Sequence, residues 1–424
     1  MNNKQSVTNS NMIVKKLWNF NFFMLWQGQL VSFIGDSIYA IALGFWILQK
    51  TGSTVIMGSL MATSTLPRIL VSPFAGVLVD RSNRKWLLVA MDAVRGVFVV
   101  AVAIAAYFNL LSIWMVFVSG IIIGLGAAFF NPTVSSSIPD IVPTNKLIKA
   151  NSAFSMVTTG AGIVGNALGG VLFQILGAPL MFLINGISYL FSAITEIFIK
   201  IPKVVHTHTD FHFLADLKEG FKFVWQYRGI RYLTLSAAAL NFFAVMGIML
   251  FLPLFNNTPS LGPARYGILM AVVTGSMFAG YLLTSIIHFQ YAHRFKFFAL
   301  CGILSMVASI LMPIWLYFPL MVGFAIILGV SNAILNSFIM ATFSAAVPQN
   351  MRGKIFSLIG TIAGGLMPVA FAIGGALAEF IPIQVLISSA FGCTLISFLL
   401  SILTKPIRHL INFNPETESI EIFR

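Results

Sequence analysis

Charge is what this sequence has least of: 9% of its 424 residues are Asp, Glu, Lys or Arg, against about 25% in soluble domains. An ordinary soluble globule is excluded, because its surface needs that charge. Acids are scarcer than bases, 12 against 25, which leaves a net charge of +13. In a chain that is 58% hydrophobic, this surplus fits the rule that cytoplasmic loops are positive, and a nucleic-acid partner is discounted. Cysteine is nearly absent. Cys301 and Cys393 sit in apolar runs and offer neither a disulfide framework nor a metal site. No phosphate-binding Walker loop, Ser-His-Asp order, zincin helix or thiol pair occurs, so an ATP-driven pump and a membrane enzyme both lack their chemistry, and no cofactor is expected.

What the sequence has instead is long apolar runs. Twelve spans of about 20 residues need roughly 240 apolar positions, and 58% of 424 residues supplies them. The chain is expected to be an all-α polytopic membrane bundle. Breaks in hydropathy place the spans at about 20–48, 54–79, 86–108, 112–137, 148–176, 178–200, 231–256, 264–289, 295–318, 320–345, 353–379 and 383–404. The first run is too long for a signal-peptide core and has no small-residue cleavage site, so it is read as a span. An even count puts both termini on one side. With them fall Lys15, Lys16, Arg81, Arg84, Lys85, Lys146, Lys149, the basic stretch at 200–231, Arg294, Lys296, Arg352, Lys354, Lys405 and Arg408; only Lys50 and Arg265 lie opposite. This asymmetry predicts a multi-pass cell-membrane protein with both termini cytoplasmic.

The longest polar break divides six spans from six. It contains KVVHTHTDFHF, whose His206, His208 and His212 read as linker because no metal-binding helix spacing accompanies them. After it, Phe213, Leu214, Leu217, Phe221 and Val224 recur at helical spacing, which predicts a surface helix. The expected organisation is a six-helix half over 1–200, a linker with a surface helix over 201–230, a second six-helix half over 231–404 and a cytoplasmic tail over 405–424. The halves repeat: a shift of 205 residues aligns 124–172 with 329–377 without a gap, and fourteen of those 49 positions are identical. The polar matches Asn131/Asn336, Asn145/Asn350 and Ser152/Ser357 are not products of apolar composition, and they point to a duplicated unit.

The loop after the second span reads GVLVDRSNRK from Gly76. Gly76 permits close helix approach, and Asp80 is one acid among Arg81, Arg84 and Lys85, able to pair across a gap that opens and closes. Those bases also serve to anchor topology. Away from the ends of spans, ionisable groups are few: Asp36, Arg68, and Asp92 with Arg95. Each is costly in hydrocarbon and needs a partner or a watery cavity. Asp92 and Arg95 make an i,i+3 pair that is structural or supports the Asp80 gate. Asp36 has no local base, and Arg68 follows Pro67 on the neighbouring span, so the two are the expected proton-coupling pair or, alternatively, a static bridge.

GVLVDRSNRK resembles the loop signature G-x-x-x-D-R-x-x-R-[RK] of the major facilitator superfamily, whose fold has twelve spans in two six-helix halves. WQGQLVSFIGDSIYAIAL, LPRILVSPFAGVLVDR, FFNPTVSSSIPDIVP and VPQNMRGKIFSL are similar to its macrolide-efflux-like branch of drug exporters. The resemblance implies a gate role for Asp80, Arg81 and Arg84, with Gly76 at the close contact. Ala161 to Gly170 is similar to the family's antiporter motif, with Ala161 and Asn166 replacing a Gly and the Pro; Gly165, Gly169 and Gly170 are expected to pack helices. Shifting Asp36 by 205 lands on Asn241, and Gln27, Gln29, Trp46, Asn131, Phe242, Asn332 and Asn336 are further candidates for cavity lining. The expected function is a secondary carrier, monomeric, that exports amphipathic small molecules such as macrolides against protons across the bilayer. The same fold also suits a lysophospholipid flippase or siderophore exporter. A transport-dead receptor is disfavoured by the gate loop and by Asp36.

Overall fold

A computed structural model describes residues 16–201, 213–287, 289–347 and 351–413. The three linker histidines therefore lie outside the described residues, as do the side chains of Gly76, Asp80 and Arg81. The helices run in the order α1 Phe20–Thr51, α2 Thr54–Arg81, α3 Arg84–Tyr107, α4 Ile113–Ile141, α5 Leu147–Ile197, α6 Phe213–Gln226, α7 Arg228–Met249, α8 Phe251–Asn257, α9 Gly262–Ile286, α10 Tyr291–Leu311, α11 Phe318–Ala346, α12 Arg352–Gly365, α13 Met367–Leu377, α14 Ile383–Ile402 and α15 Lys405–Ile411. Their boundaries follow local chemistry. Side-chain oxygens of Asn19, Ser53 and Asn83 cap the first turns of α1, α2 and α3, and Gly52, at φ 66°, ends α1 in the left-handed region.

Among the described residues, eleven helical stretches are long and apolar enough to cross a membrane. One of these holds two crossings. At Gly177 (φ 70°, ψ 174°) the backbone of α5 leaves the helical region just before Pro179, so the path turns back and twelve crossings result.

The start of α1, α15 and the α2–α3 turn share one end of the bundle, here the terminal end; the α1–α2 turn, Gly177 and the 258–262 turn share the far end. At the far end a single apolar cluster joins residues from both sides of the linker, including Phe45, Phe173, Leu252, Phe255, Leu269 and Phe391. At the terminal end the clusters are separate. One draws on Phe22, Leu88, Phe130 and Ile138, the other on Phe298, Phe338, Phe398 and Leu410. After 404 the chain continues into α15, whose Ile407, Leu410 and Ile411 are buried in that second cluster. Phe223 and Val224 of α6 join the same cluster, while Phe221 and Trp225 stack outside it with ring centroids 4.9 Å apart.

Candidate functional site

Polar side chains are so sparse in this bundle that their grouping carries information. On α1, Gln29, Ser32, Asp36 and Tyr39 recur every three or four residues and so share a face. Asn185, Ser188, Tyr189, Ser192 and Glu196 do the same on α5 beyond Gly177. The two faces meet at close range, since a Cβ added at Gly28 would press on Ser192 and one added at Gly35 on Ser188 and Asn185. The third wall is α3, which brings Asp92 and Arg95 to the seam and approaches α5 through Gly96, set against Leu190. Gly126 of α4 leaves room for the Arg95 stem.

Within this seam Tyr189 donates its hydroxyl proton to Asp36 Oδ1, and Arg95 donates to Asp92 Oδ1. The Arg95 guanidinium lies between two rings, 4.4 Å from the centroid of Phe130 and 4.5 Å from that of Tyr189. Such stacking compensates a cation removed from water. Arg95 is also within electrostatic reach of Asp36 and Glu196. Asp92, Arg95, Tyr189 and Glu196 are buried, whereas Asp36 keeps partial exposure at the seam's edge. Ser192 reaches Glu196 Oε1 at a long 3.5 Å.

A cavity of about 780 Å³ lies on the other side of the linker, among α7, α9, α10, α11, α12 and α14. Asn241, Asn332, Asn336, Tyr281, Ser309 and Thr394 are among its polar walls, Met277, Met306, Met340, Phe356 and Phe391 are among its apolar ones, and among the described residues no charged side chain lines it. Its volume falls in the range of drug-sized sites. Between the two groups of helices the far end is closed by backbone crossings. Gly170 abuts Gly267, and Gly58 abuts Gly375. Glu379, just past α13, closes the second crossing: its Oε1 accepts from Ser53 Oγ (2.8 Å), Thr54 N (3.0 Å), Thr54 Oγ1 (3.3 Å) and Val55 N (3.3 Å). The Ser53 hydroxyl first, and then the backbone N–H groups of α2, hold this carboxyl below the ordinary glutamate range.

The family model described as "Major Facilitator Superfamily" matches residues 25–372. The chain belongs to this superfamily. It is a non-enzymatic membrane transport protein of that fold. It is 27% identical over 378 residues to macrolide efflux protein A of Streptococcus pyogenes, covering 87% of this chain and 91% of that protein. It is 23% identical over 372 residues to the multidrug efflux pump Tap of Mycobacterium tuberculosis, covering 84% and 87%. Among solved structures it resembles a bacterial homologue of the iron transporter ferroportin in an inward-facing state, at TM-score 0.71 and 15% identity over 93% of this chain and 98% of that one. At that identity the likeness speaks to fold alone.

Within this superfamily member, the residues singled out from sequence fall in different places. Asp36 and Arg68 are not brought together. Asp36 bonds to Tyr189, and Arg68 is exposed on α2, which packs on α4 and α13 while α1 packs on α5. The base near Asp36 is Arg95. Asp92 and Arg95 belong to the seam and not to the α2–α3 loop, because eight residues of helix, ~12 Å, separate Asp92 from Arg84. Arg84 itself reaches Asp140 Oδ2 at 2.5 Å and the Ser136 carbonyl at 2.9 Å, tying the start of α3 to the end of α4. Gly165 and Gly169 lie against Ser37 and Ile41 of α1, and Gly170 against Gly267 of α9.

Of the cavity candidates, the structure gathers Asn241, Asn332 and Asn336 at one site, where Asn336 Nδ2 donates to Asn332 Oδ1 at 2.7 Å. Gln29 is buried in the seam, and Gln27 donates to Met24 Sδ at 3.3 Å. Trp46 packs on the far-end cluster, Phe242 packs on Phe243, and Asn131 is exposed on α4. Sequence reasoning missed Glu196 and Tyr189. Glu196 stands one residue before the end of α5 and reads as a boundary charge, while its helical spacing to Ser192 and Tyr189 was the available signal.

Proposed function

We propose that this chain exports amphipathic drugs, macrolides among them, in exchange for protons, by alternating access across the cell membrane. Support for the cargo comes from the efflux proteins it resembles and from a neutral cavity with apolar walls and a few amides, which suits loosely selective binding. The basic residues gathered at the terminal end support placing both termini in the cytoplasm. With that orientation the joined far-end cluster seals the outside and the separate terminal-end clusters leave the cleft open inward. Gly76, Asp80, Arg81 and Arg84 then stand at the cytoplasmic gate, where the Arg84–Asp140 link holds α3 to α4.

The observation that carries proton coupling is Asp36: an intramembrane carboxyl, partly exposed, bonded to Tyr189 and within reach of Arg95. A carboxyl so placed changes its proton affinity when a cation or water moves by a few ångströms. Asp36→Asn mimics the protonated state permanently. In proteoliposomes given a pH jump, gradient-driven export of a fluorescent drug is expected to stop in Asp36→Asn, while drug exchange without a gradient is expected to persist. A well-folded Asp36→Asn that still moves protons with drug removes the assignment, and transport of a fluorescent lysolipid in place of the drug reassigns the cargo.

A further inference from the structure

The seam between α1, α3 and α5 holds more acid than its one guanidinium can neutralise. Asp36 and Tyr39 face it from α1, Asp92 and Arg95 from α3, and Tyr189 and Glu196 from α5; among the described residues Arg95 is the seam's only cation. With all three carboxyls ionised, a buried cluster would carry two uncompensated negative charges, and closely spaced like charges in a low dielectric do not coexist. The hydrogen bonds leave the same surplus. Arg95 is committed to Asp92 Oδ1, and Glu196, buried one residue from the end of α5, has only the long contact from Ser192. Several buried polar atoms of this one seam, Gln29 Nε2, Ser32 Oγ and Glu196 Oε2 among them, have no hydrogen-bond partner among the described residues.

We infer that Glu196 is a second proton-holding carboxyl of this transporter, and that Arg95 neutralises one seam acid at a time while the others keep their protons. In the arrangement described here Arg95 serves Asp92, so Asp36 and Glu196 are the neutral pair. Ser192 lies between Asp92 and Glu196 and contacts both. When Arg95 turns from Asp92 to Asp36, the proton that Asp36 gives up is matched by one taken up at Asp92, so one carboxylate still faces the one guanidinium and Glu196, with Ser192 beside it, keeps its proton. The proton balance is thus kept wholly in the first group of helices, apart from the uncharged cavity in the second. This inference rests on the reading of Asp36 as the coupling carboxyl and adds the group that tunes it.

The chain has six glutamates, and among the described residues Glu196 alone lies within a membrane-crossing helix. Full-length protein labelled with ¹³C on its glutamate carboxyls and reconstituted in liposomes is expected to show, at neutral pH, a carboxylic-acid C=O band that carries the isotope shift and disappears in Glu196→Gln. The neutral variant is expected to fold and exchange drug as wild type does, and to hold export about tenfold further into the alkaline range, about one pH unit, because it cannot lose that proton. Absence of the shifted band at neutral pH, its persistence in Glu196→Gln, or failure of Glu196→Gln to fold would each overturn the inference. Wild-type liposomes that export drug with no accompanying proton movement would instead remove the Asp36 reading, while the infrared band reports on Glu196 independently.

Discussion

Arg95 sits where two aromatic faces and one carboxylate converge, and its burial makes it the most consequential cation in the first group of helices. Removing one partner of a buried ion pair costs about 3–5 kcal/mol, because the other charge is left unpaired. Arg95→Gln is therefore expected to lower the melting temperature of the purified protein strongly. Arg68→Gln, on an exposed side chain, is expected to change stability by no more than about 0.5 kcal/mol. Melting curves of the two variants side by side test this, and equal melting temperatures would remove the buried-pair cost assigned to Arg95. Both arginines were visible in the sequence as charges inside apolar runs. Which one meets Asp36 was not, since helical spacing fixes faces within one helix and says nothing about which helix lies opposite.

Among the helices, the glycine positions matched by the repeat do equivalent work. Gly170 and Gly375, 205 residues apart, each touch a glycine from the other group of helices, Gly267 and Gly58, at the far end. Glu379 adds a side-chain latch to the second crossing by capping α2 from across the interface. Its carboxyl titrates below its ordinary value while latched, so the latch contributes fully above the ordinary glutamate value of about 4.3 and is lost as pH falls through the depressed one. Solvent screens this group, so Glu379→Gln is expected to shift the closed-to-open ratio at the far end only a few-fold, roughly 1 kcal/mol or less. Spin labels on Lys50→Cys and Ser260→Cys, with the native cysteines replaced, report the distance across that end. The label separation should be insensitive to pH near neutrality and lengthen in strong acid. An acid response that survives in Glu379→Gln would assign it to another group.

At the scale of the molecule, the two groups of helices divide labour: among the described residues the first buries the Asp92–Arg95 pair, and the second encloses a cavity with no charged wall. Under the cargo proposed above, Asn241→Leu, which removes one amide from that cavity, is expected to weaken macrolide binding about threefold to tenfold, the worth of one neutral hydrogen bond, with stability unchanged. Titration of purified protein with a macrolide checks it, and undiminished affinity would move the binding site elsewhere. Orientation is tested separately. An impermeant thiol reagent added outside sealed cells should label a cysteine at Lys50 or Pro259 and spare one at Lys149 or Lys200; the reverse pattern would invert the membrane topology.

Apolar runs, their spacing and the side on which bases fall were enough to lay out twelve crossings and a duplicated unit, because a bilayer imposes one length and one polarity on every span. The break at Gly177, between runs ending near 176 and starting near 178, was legible for the same reason. The partners of Asp36 were decided only by tertiary structure. Tyr189 and Glu196 lie 153 and 160 residues from it in sequence and reach it, or its Arg95, only because Gly28, Gly35 and Gly96 let α1, α3 and α5 close on one another. The cavity too was partly hidden: Asn241, Asn332 and Asn336 stood out as amides in apolar spans, whereas Met277, Met306 and Phe391 look in sequence like any lipid-facing side chain. In a membrane protein apolar residues face lipid and cargo alike, so composition cannot separate the two and packing must.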